Sequence, residues 1–87
     1  MALYFFDFHD HDNSFTDDEA AEFADIKAVS EEALRALCEI VADQPHRYAD
    51  QMPRMTVRDG TGKAVLAVTL TASTTWLKDE TPAGIAA

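Results

Sequence analysis

The chain has 87 residues, of which 47% are hydrophobic, and a formal net charge of -9. This length allows one small domain, and the hydrophobic fraction is high enough for a folded core. The charge is uneven, because residues 7–32 hold ten acids and one base while the remainder of the chain is neutral. Such a field repels nucleic acid and anionic membranes, so the composition excludes both as direct partners and favours basic surfaces or cations.

Cysteine usage and the N-terminal segment indicate where the protein works. Cys38 is the single cysteine, which excludes an internal disulfide framework and fits a reducing compartment. The N-terminal segment lacks the basic start of a secretory signal and is typical of a strand. No stretch approaches the roughly 20 apolar residues of a membrane span. We therefore expect a cytoplasmic protein.

The first predicted elements are a strand, a turn and a short returning strand. Residues 3–8 are rich in aromatic side chains, which favour strands. Their alternation predicts one face with Tyr4, Phe6 and Phe8 and a second face with Leu3 and Phe5. A polar turn follows over residues 9–13, then a short strand over 14–16 and an acidic connector over 17–24.

The next predicted element is an amphipathic helix. Asp25 is a typical N-cap residue, and Pro45 ends the pattern after about 17 helical residues. Apolar residues form one stripe at helical spacing, with charged residues on the opposite side. The stripe consists of Ile26, Val29, Ala33, Leu37, Ile40 and Val41. We expect Leu37, together with Phe6 of the first strand, in the core.

A β-hairpin is predicted after a loop at residues 44–53. Residues 55–58 alternate, Asp59-Gly60-Thr61-Gly62 is typical of a hairpin turn, and alternation resumes over 64–71. Residues 72–87 are small and polar apart from Trp76, Leu77 and Ile85, which predicts a loosely ordered tail.

These elements predict an α+β fold, a two-layer sandwich with a small antiparallel sheet (β-β-α-β-β) and one amphipathic helix on one face. Residues 1–71 would form the single domain. Pairing the first and fourth predicted strands gives the sheet order 3-4-1-2. The face away from the helix would then be apolar, and such exposed patches often mark interfaces. The sequence therefore predicts a homo-oligomer with an interface at Leu3, Phe5, Val65 and Ala67.

Four short motifs resemble a known family. They are Tyr-Phe-Phe-Asp-Phe at residues 4–8, Asp-Asp-Glu at 17–19, Asp-Ile at 25–26 leading to Glu-Ala at 32–33, and Val-Arg-Asp-x-x-Gly at 57–62. This set resembles domain-of-unknown-function family 6894 over roughly residues 3–70. The resemblance implies a small alphaproteobacterial protein and carries no catalytic residue with it. The layout is also similar to that of HicB-type antitoxins, which is a likeness of layout only.

Two further functions stay open at this point. An acidic inhibitor, antitoxin-like or mimicking nucleic acid, would bind a basic protein partner through Asp10, Asp12, Asp17, Asp18, Glu19 and Glu22. A weak metal-binding protein would use the turn with His9 and His11, supported by Asp10 and Asp12. Only two histidines lie there, whereas a firm site needs three or four ligands, so no cofactor is predicted.

Catalysis has little support in the sequence. Cys38 lies at the flank of the apolar stripe and is interpreted as a small buried thiol. No phosphate-binding loop, nucleophile elbow or dinucleotide fingerprint is present. The expectation is a non-enzymatic interaction module with no catalytic residue.

Overall fold

The computed structural model describes residues 1–78, within which the chain forms five strands and two helices. Every strand pair is antiparallel, and the long helix packs on one face of the sheet. This arrangement confirms the predicted α+β sandwich. In chain order the elements are β1 (Ala2–His9), β2 (Ser14–Phe15), β3 (Ala21–Phe23), α1 (Ile26–Asp43), α2 (Pro45–Tyr48), β4 (Arg54–Asp59) and β5 (Ala64–Thr69).

Helix α1 begins where the sequence predicts. The Asp25 side chain accepts a 2.8 Å hydrogen bond from the backbone N–H of Ala28, as an N-cap residue should. Val29, Ala33 and Leu37 are fully buried against the sheet. Burial of these side chains, rather than helix propensity, gives the helix most of its stability.

The core lies between α1 and the inner face of the sheet. Leu37 and Val57 have no exposed surface, and Phe8, Met55 and Tyr48 are also buried. The expectation for Leu37 is therefore confirmed. A ring of half-buried side chains surrounds this core, with members from β1, β3, α1 and β5: Tyr4, Phe6, Phe23, Ala36, Ile40, Val41, Leu66, Val68 and Leu70.

The order of strands in the sheet differs from the prediction. The observed order is β2-β1-β4-β5, so β4 rather than β5 lies beside β1, and the order 3-4-1-2 is wrong. In the register, Phe6 lies opposite Val57 and Phe8 lies opposite Met55. The central position buries both β4 side chains almost completely, whereas their partners Leu66 and Val68 on the edge strand β5 are only half-buried. β4 and β5 both alternate between inner-face and outer-face residues, so the alternation alone does not indicate which of the two is the central strand.

Two short elements are absent from the prediction. Strand β3 forms within the expected acidic connector and pairs with Ala2–Tyr4 of β1. Its Phe23 ring contacts the Phe6 ring edge-on, with the ring centroids 5.5 Å apart. Helix α2 occupies part of the expected loop, with a proline at its start and Tyr48 buried at its end. In both places the packing of an aromatic ring stabilises a segment whose local pattern is weak.

The predicted hairpin turn is confirmed. The backbone N–H of Asp59 donates to the Lys63 carbonyl at 2.8 Å, and Gly62 takes φ +89°, a value that favours glycine. Of the predicted tail at residues 72–87, residues 79–87 lie outside the described residues. The preceding part is tied to Asp50, whose N–H donates to the Ala72 carbonyl at 2.8 Å. No helix within residues 1–78 has the length and apolarity to cross a membrane.

Candidate functional site

The sheet face opposite α1, called the open face below, brings together apolar, acidic, basic and imidazole side chains. Residues directly opposite one another in an antiparallel sheet point to the same face. The register therefore builds three rows across β1, β4 and β5. They are Phe5 with Arg58, Asp7 with Thr56 and Ala67, and His9 with Arg54 and Thr69.

A partly buried ion pair occupies the centre of the open face. Arg58 donates from Nε to Asp7 Oδ2 at 2.6 Å and from Nη2 to Asp7 Oδ1 at 3.1 Å. Asp7 is only 7% exposed, although burying a carboxylate is costly without such partners. The hydrogen bond from Arg58 lowers the pKa of Asp7, against the opposing effect of burial. Asp7 therefore stays ionised and paired.

Asp17 ties the acidic loop to this ion pair. Its backbone N–H donates to Asp7 Oδ1 at 2.9 Å, and its carbonyl accepts from Arg58 Nη2 at 3.0 Å. Its own carboxylate accepts from the backbone N–H of Phe6 at 3.0 Å. The loop between β2 and β3 is thus fixed to β1 by polar contacts, which local sequence patterns do not indicate.

The predicted apolar interface is present in two parts rather than as one patch. Leu3 (45% exposed) and Phe5 lie on β1, whereas Val65 (41% exposed) and Ala67 lie on β5. Strand β4 separates the two pairs, and the Arg58 guanidinium lies 4.7 Å from the centre of the Phe5 ring. The split follows from the strand order, since the predicted order would have made the four residues neighbours.

A second polar cluster surrounds Asp10 at the turn after β1. The Asp10 side chain is 2% exposed and accepts from the Asp12 and Asn13 N–H groups at 2.8 and 2.7 Å. It also accepts from the Tyr48 hydroxyl at 3.0 Å and from Arg47 at 3.3 Å. Burial acts to raise the pKa of Asp10, but these donors together lower it to about 2. The carboxylate holds the turn onto α2.

The histidine turn borders a shallow cavity. The cavity has a volume of about 380 Å³, and His9, Asp10, His11, Asp50, Gln51, Met52 and Arg54 line it. His9 Nδ1 lies 2.9 Å from the Ser14 hydroxyl, and His11 Nε2 lies 3.1 Å from an Asp12 carboxylate oxygen. Within residues 1–78, no three His, Cys, Asp or Glu side chains come together as metal ligands would. The two predicted histidines therefore meet at one cavity without a third ligand of those types.

The six acids of the predicted partner surface divide into two groups. Asp10 is buried in its own cluster, and the half-buried Asp17 is bound to the backbone of β1. The other four are exposed: Asp12, Asp18, Glu19 and Glu22. Of these, Glu22 lies opposite Leu3 in the register and so borders the open face. The surface available to a basic partner is smaller than the sequence suggests.

Cys38 is exposed, so its interpretation as a buried thiol is wrong. The preceding residue Leu37 takes the central position of the stripe, and one step along a helix rotates the next side chain by about 100°. That rotation carries Cys38 beyond the edge of the buried stripe, to the solvent.

A protein-family model matches the chain over almost the whole of this fold. The family model described as "Domain of unknown function (DUF6894)" matches residues 3–71. The chain belongs to this family. The match spans nearly the whole sheet and both helices of the DUF6894 domain. No curated protein and no solved structure matches the chain.

Three of the four motifs behind the DUF6894 resemblance meet at one point in the structure. Asp7 belongs to the first motif, Asp17 to the second and Arg58 to the third. These three residues form the central ion pair of the open face and its tie to the acidic loop. Sequence reasoning missed the role of Arg58. A signal was available, because alternation places Arg58 and Asp7 on the same face with opposite charges.

Proposed function

We propose that this DUF6894 domain is a non-enzymatic interaction module that associates with a second copy of itself through the β4–β5 side of its sheet. The observation that carries the proposal is the separation of charge from exposed apolar surface. Acids fill residues 7–32, whereas β5 has no charged residue and presents Val65 and Ala67 to solvent. Two copies with a net charge of -9 each repel unless their contact lies away from the acids.

The burial of the central carboxylates supports a non-enzymatic role. Asp7 and Asp10 are the carboxylates with the least exposed side chains among the ion pairs, and each is held by an arginine and by backbone N–H groups. A general acid or base needs a pKa near neutrality, whereas both pKa values here are lowered. These groups stabilise the fold. We also propose a cytoplasmic location, because a lone exposed thiol such as Cys38 fits a reducing compartment.

Multi-angle light scattering tests the association directly. The parent protein is measured over a range of concentrations at low and high salt, where we expect dimers to grow with concentration and with salt. Salt favours the dimer because it screens the repulsion between the two acidic copies. A mass that stays monomeric at the highest concentration, at both salt levels, contradicts the proposal.

A pair of matched variants locates the contact. Val65→Glu places a charge on β5, and Leu34→Glu places the same charge on the exposed side of α1, where Leu34 is 45% exposed. We expect Val65→Glu to weaken dimerisation at least tenfold and Leu34→Glu to leave it close to the parent value. If Val65→Glu associates normally and its circular dichroism spectrum is unchanged, the dimer contact does not involve Val65.

A second candidate function rests on the exposed carboxylates of the acidic loop. Asp18 and Glu19 are adjacent and exposed, and Asp12 is exposed at the preceding turn. A basic protein partner could bind there, and such a complex would weaken with salt, opposite to the dimer. A pulldown washed at low and then high salt distinguishes the two candidate functions, because a basic partner should be released at high salt. Neutralising Asp18 and Glu19 to Asn and Gln should abolish the salt-sensitive capture.

A further inference from the structure

The cavity beside the histidine turn contains an acid and a base that lack partners of opposite charge. The other three arginines of the chain pair with carboxylates, whereas Arg54 forms no ion pair within residues 1–78. The Asp50 carboxylate also has no base beside it in this part of the chain, and it accepts the Thr74 backbone N–H at 3.2 Å. Arg54 and Asp50 both line the cavity without pairing with each other. The cavity wall therefore presents one unpaired positive group and one unpaired negative group among the described residues.

The backbone holds both of these groups in place. Arg54 begins β4 directly opposite His9 in the register, so these two side chains point to the same face of the sheet. Asp50 lies in the loop before β4 and takes φ +60°, a value that aspartate tolerates better than most residues. Its N–H donates to the Ala72 carbonyl at 2.8 Å, which fixes this conformation. A ligand therefore meets an acid and a base that are already positioned.

The other charged side chains at the cavity are already occupied. The Asp10 side chain is 2% exposed and accepts hydrogen bonds from its own turn and from α2, so it is not available to a ligand. His11 Nε2 lies 3.1 Å from a carboxylate oxygen of Asp12. Arg54 and Asp50 are therefore the main charges that a ligand meets in this cavity.

A molecule that pairs with both unpaired groups must carry both charges. A guanidinium binds a carboxylate through two parallel N–H···O bonds, and a carboxylate binds an ammonium group through charge-assisted hydrogen bonds. We infer that the cavity binds a small zwitterion, a free α-amino acid, with its carboxylate on Arg54 and its ammonium group on Asp50. The cavity volume of about 380 Å³ lies within the usual range of small-molecule sites. Met52, which lines the same cavity, offers an apolar contact to the side chain of the amino acid.

Nuclear magnetic resonance titration of the full chain with single α-amino acids tests this inference. We expect saturable shifts of the backbone signals in residues 9–11 and 50–54, because these segments line the cavity. The tightest-binding amino acid is then compared with its N-acetyl derivative, which lacks the ammonium group, and with its carboxamide, which lacks the carboxylate. Each derivative should bind at least about tenfold more weakly, because it leaves one charged group of the cavity unpaired. All titrations use one protein concentration, so self-association does not determine the outcome.

Two variants that each remove one charge assign the contacts. Arg54→Gln and Asp50→Asn should each weaken binding of the amino acid at least about tenfold, and asparagine, like aspartate, tolerates the φ of +60° at this position. Asp50→Asn should leave the affinity for the N-acetyl derivative unchanged, since that compound has no ammonium group. The matched controls Arg35→Gln and Asp18→Asn change exposed residues that do not line the cavity, and they should bind as the parent does. The inference is wrong if no amino acid gives a saturable shift, if either derivative binds as tightly as the amino acid, or if the two cavity variants bind as the parent does.

Discussion

Leu37→Ala is the sharpest test of the packing between helix and sheet. Leu37 is fully buried at the centre of α1, where it contacts the core on the inner face of the sheet. The change removes the end of the side chain, and at about 0.8 kcal/mol per carbon group the lost burial is about 2.5 kcal/mol. A cavity that does not collapse raises the loss of unfolding free energy toward about 5 kcal/mol.

The loss of unfolding free energy in Leu37→Ala should lie between these limits because of the position of the cavity. The helix and the sheet both border it, and neither can move inward without disturbing Val29 and Val57, which are also fully buried. We therefore expect a loss of about 3–4 kcal/mol. A domain of this length has a total stability of about 4–13 kcal/mol, so the variant should be folded only marginally.

Urea unfolding followed by circular dichroism measures this loss. With an m value of about 1 kcal/mol/M for a small domain, the midpoint should fall by about 3 M. The control is Leu34→Ala, the same change on the same helix at a side chain that is 45% exposed. It should cost less than about 1 kcal/mol. Equal midpoints for the two variants, at one fixed protein concentration, would refute the assignment of the buried helix face.

Three further expectations concern individual side chains. The pKa of Asp10 is lowered from 3.8 to about 2, so its stabilising contribution is complete above about pH 4 and is lost as the pH falls toward 2. Asp10→Asn should therefore be less stable at pH 7 and show a flatter dependence of stability on pH in that window; a curve identical to that of the exposed control Asp18→Asn would contradict this. Cys38 is exposed and should react with a thiol reagent in the native protein within about threefold of the unfolded rate. Modification that requires denaturant would show that the thiol is buried. His9 and His11 should give at most weak Ni²⁺ or Zn²⁺ binding, reduced when both are changed to Ala, because such a site needs three or four ligands. Calorimetry that gives submicromolar affinity would require a third ligand at the turn.

Sequence reasoning succeeded where the signal was local and repeated. The helix was predicted from its N-cap Asp25, which is confirmed, and from an apolar stripe whose central residues are buried, although Ile26 at its start is 50% exposed. The hairpin turn was predicted from two glycines, of which Gly62 takes the positive φ that glycine favours. In each case a few neighbouring residues determine the conformation, so a window of the sequence contains the information.

Sequence reasoning failed where contacts between residues far apart in the chain decide which strands pair. The choice of β4 as the central strand depends on burial of Val57 and on the pairing of Arg58 with Asp7, about fifty positions away in the chain. The same error joined Leu3 and Phe5 to Val65 and Ala67, which the structure separates. Strand β3 was missed because its pairing with β1 and the packing of Phe23, rather than its local composition, hold it in place.

The carboxylate of Asp17 also closes one edge of the sheet. Along the outer edge of β1, β3 pairs with residues 2–4 and β2 pairs with residues 8–9, and Asp17 occupies the N–H of Phe6 between them. No continuous run of free backbone groups is left there for an incoming strand. An edge closed in this way resists pairing with a strand from another chain, which is how natural sheets commonly avoid uncontrolled association. The acidic loop thus protects the β1 edge of the sheet, a role that its charge alone does not indicate.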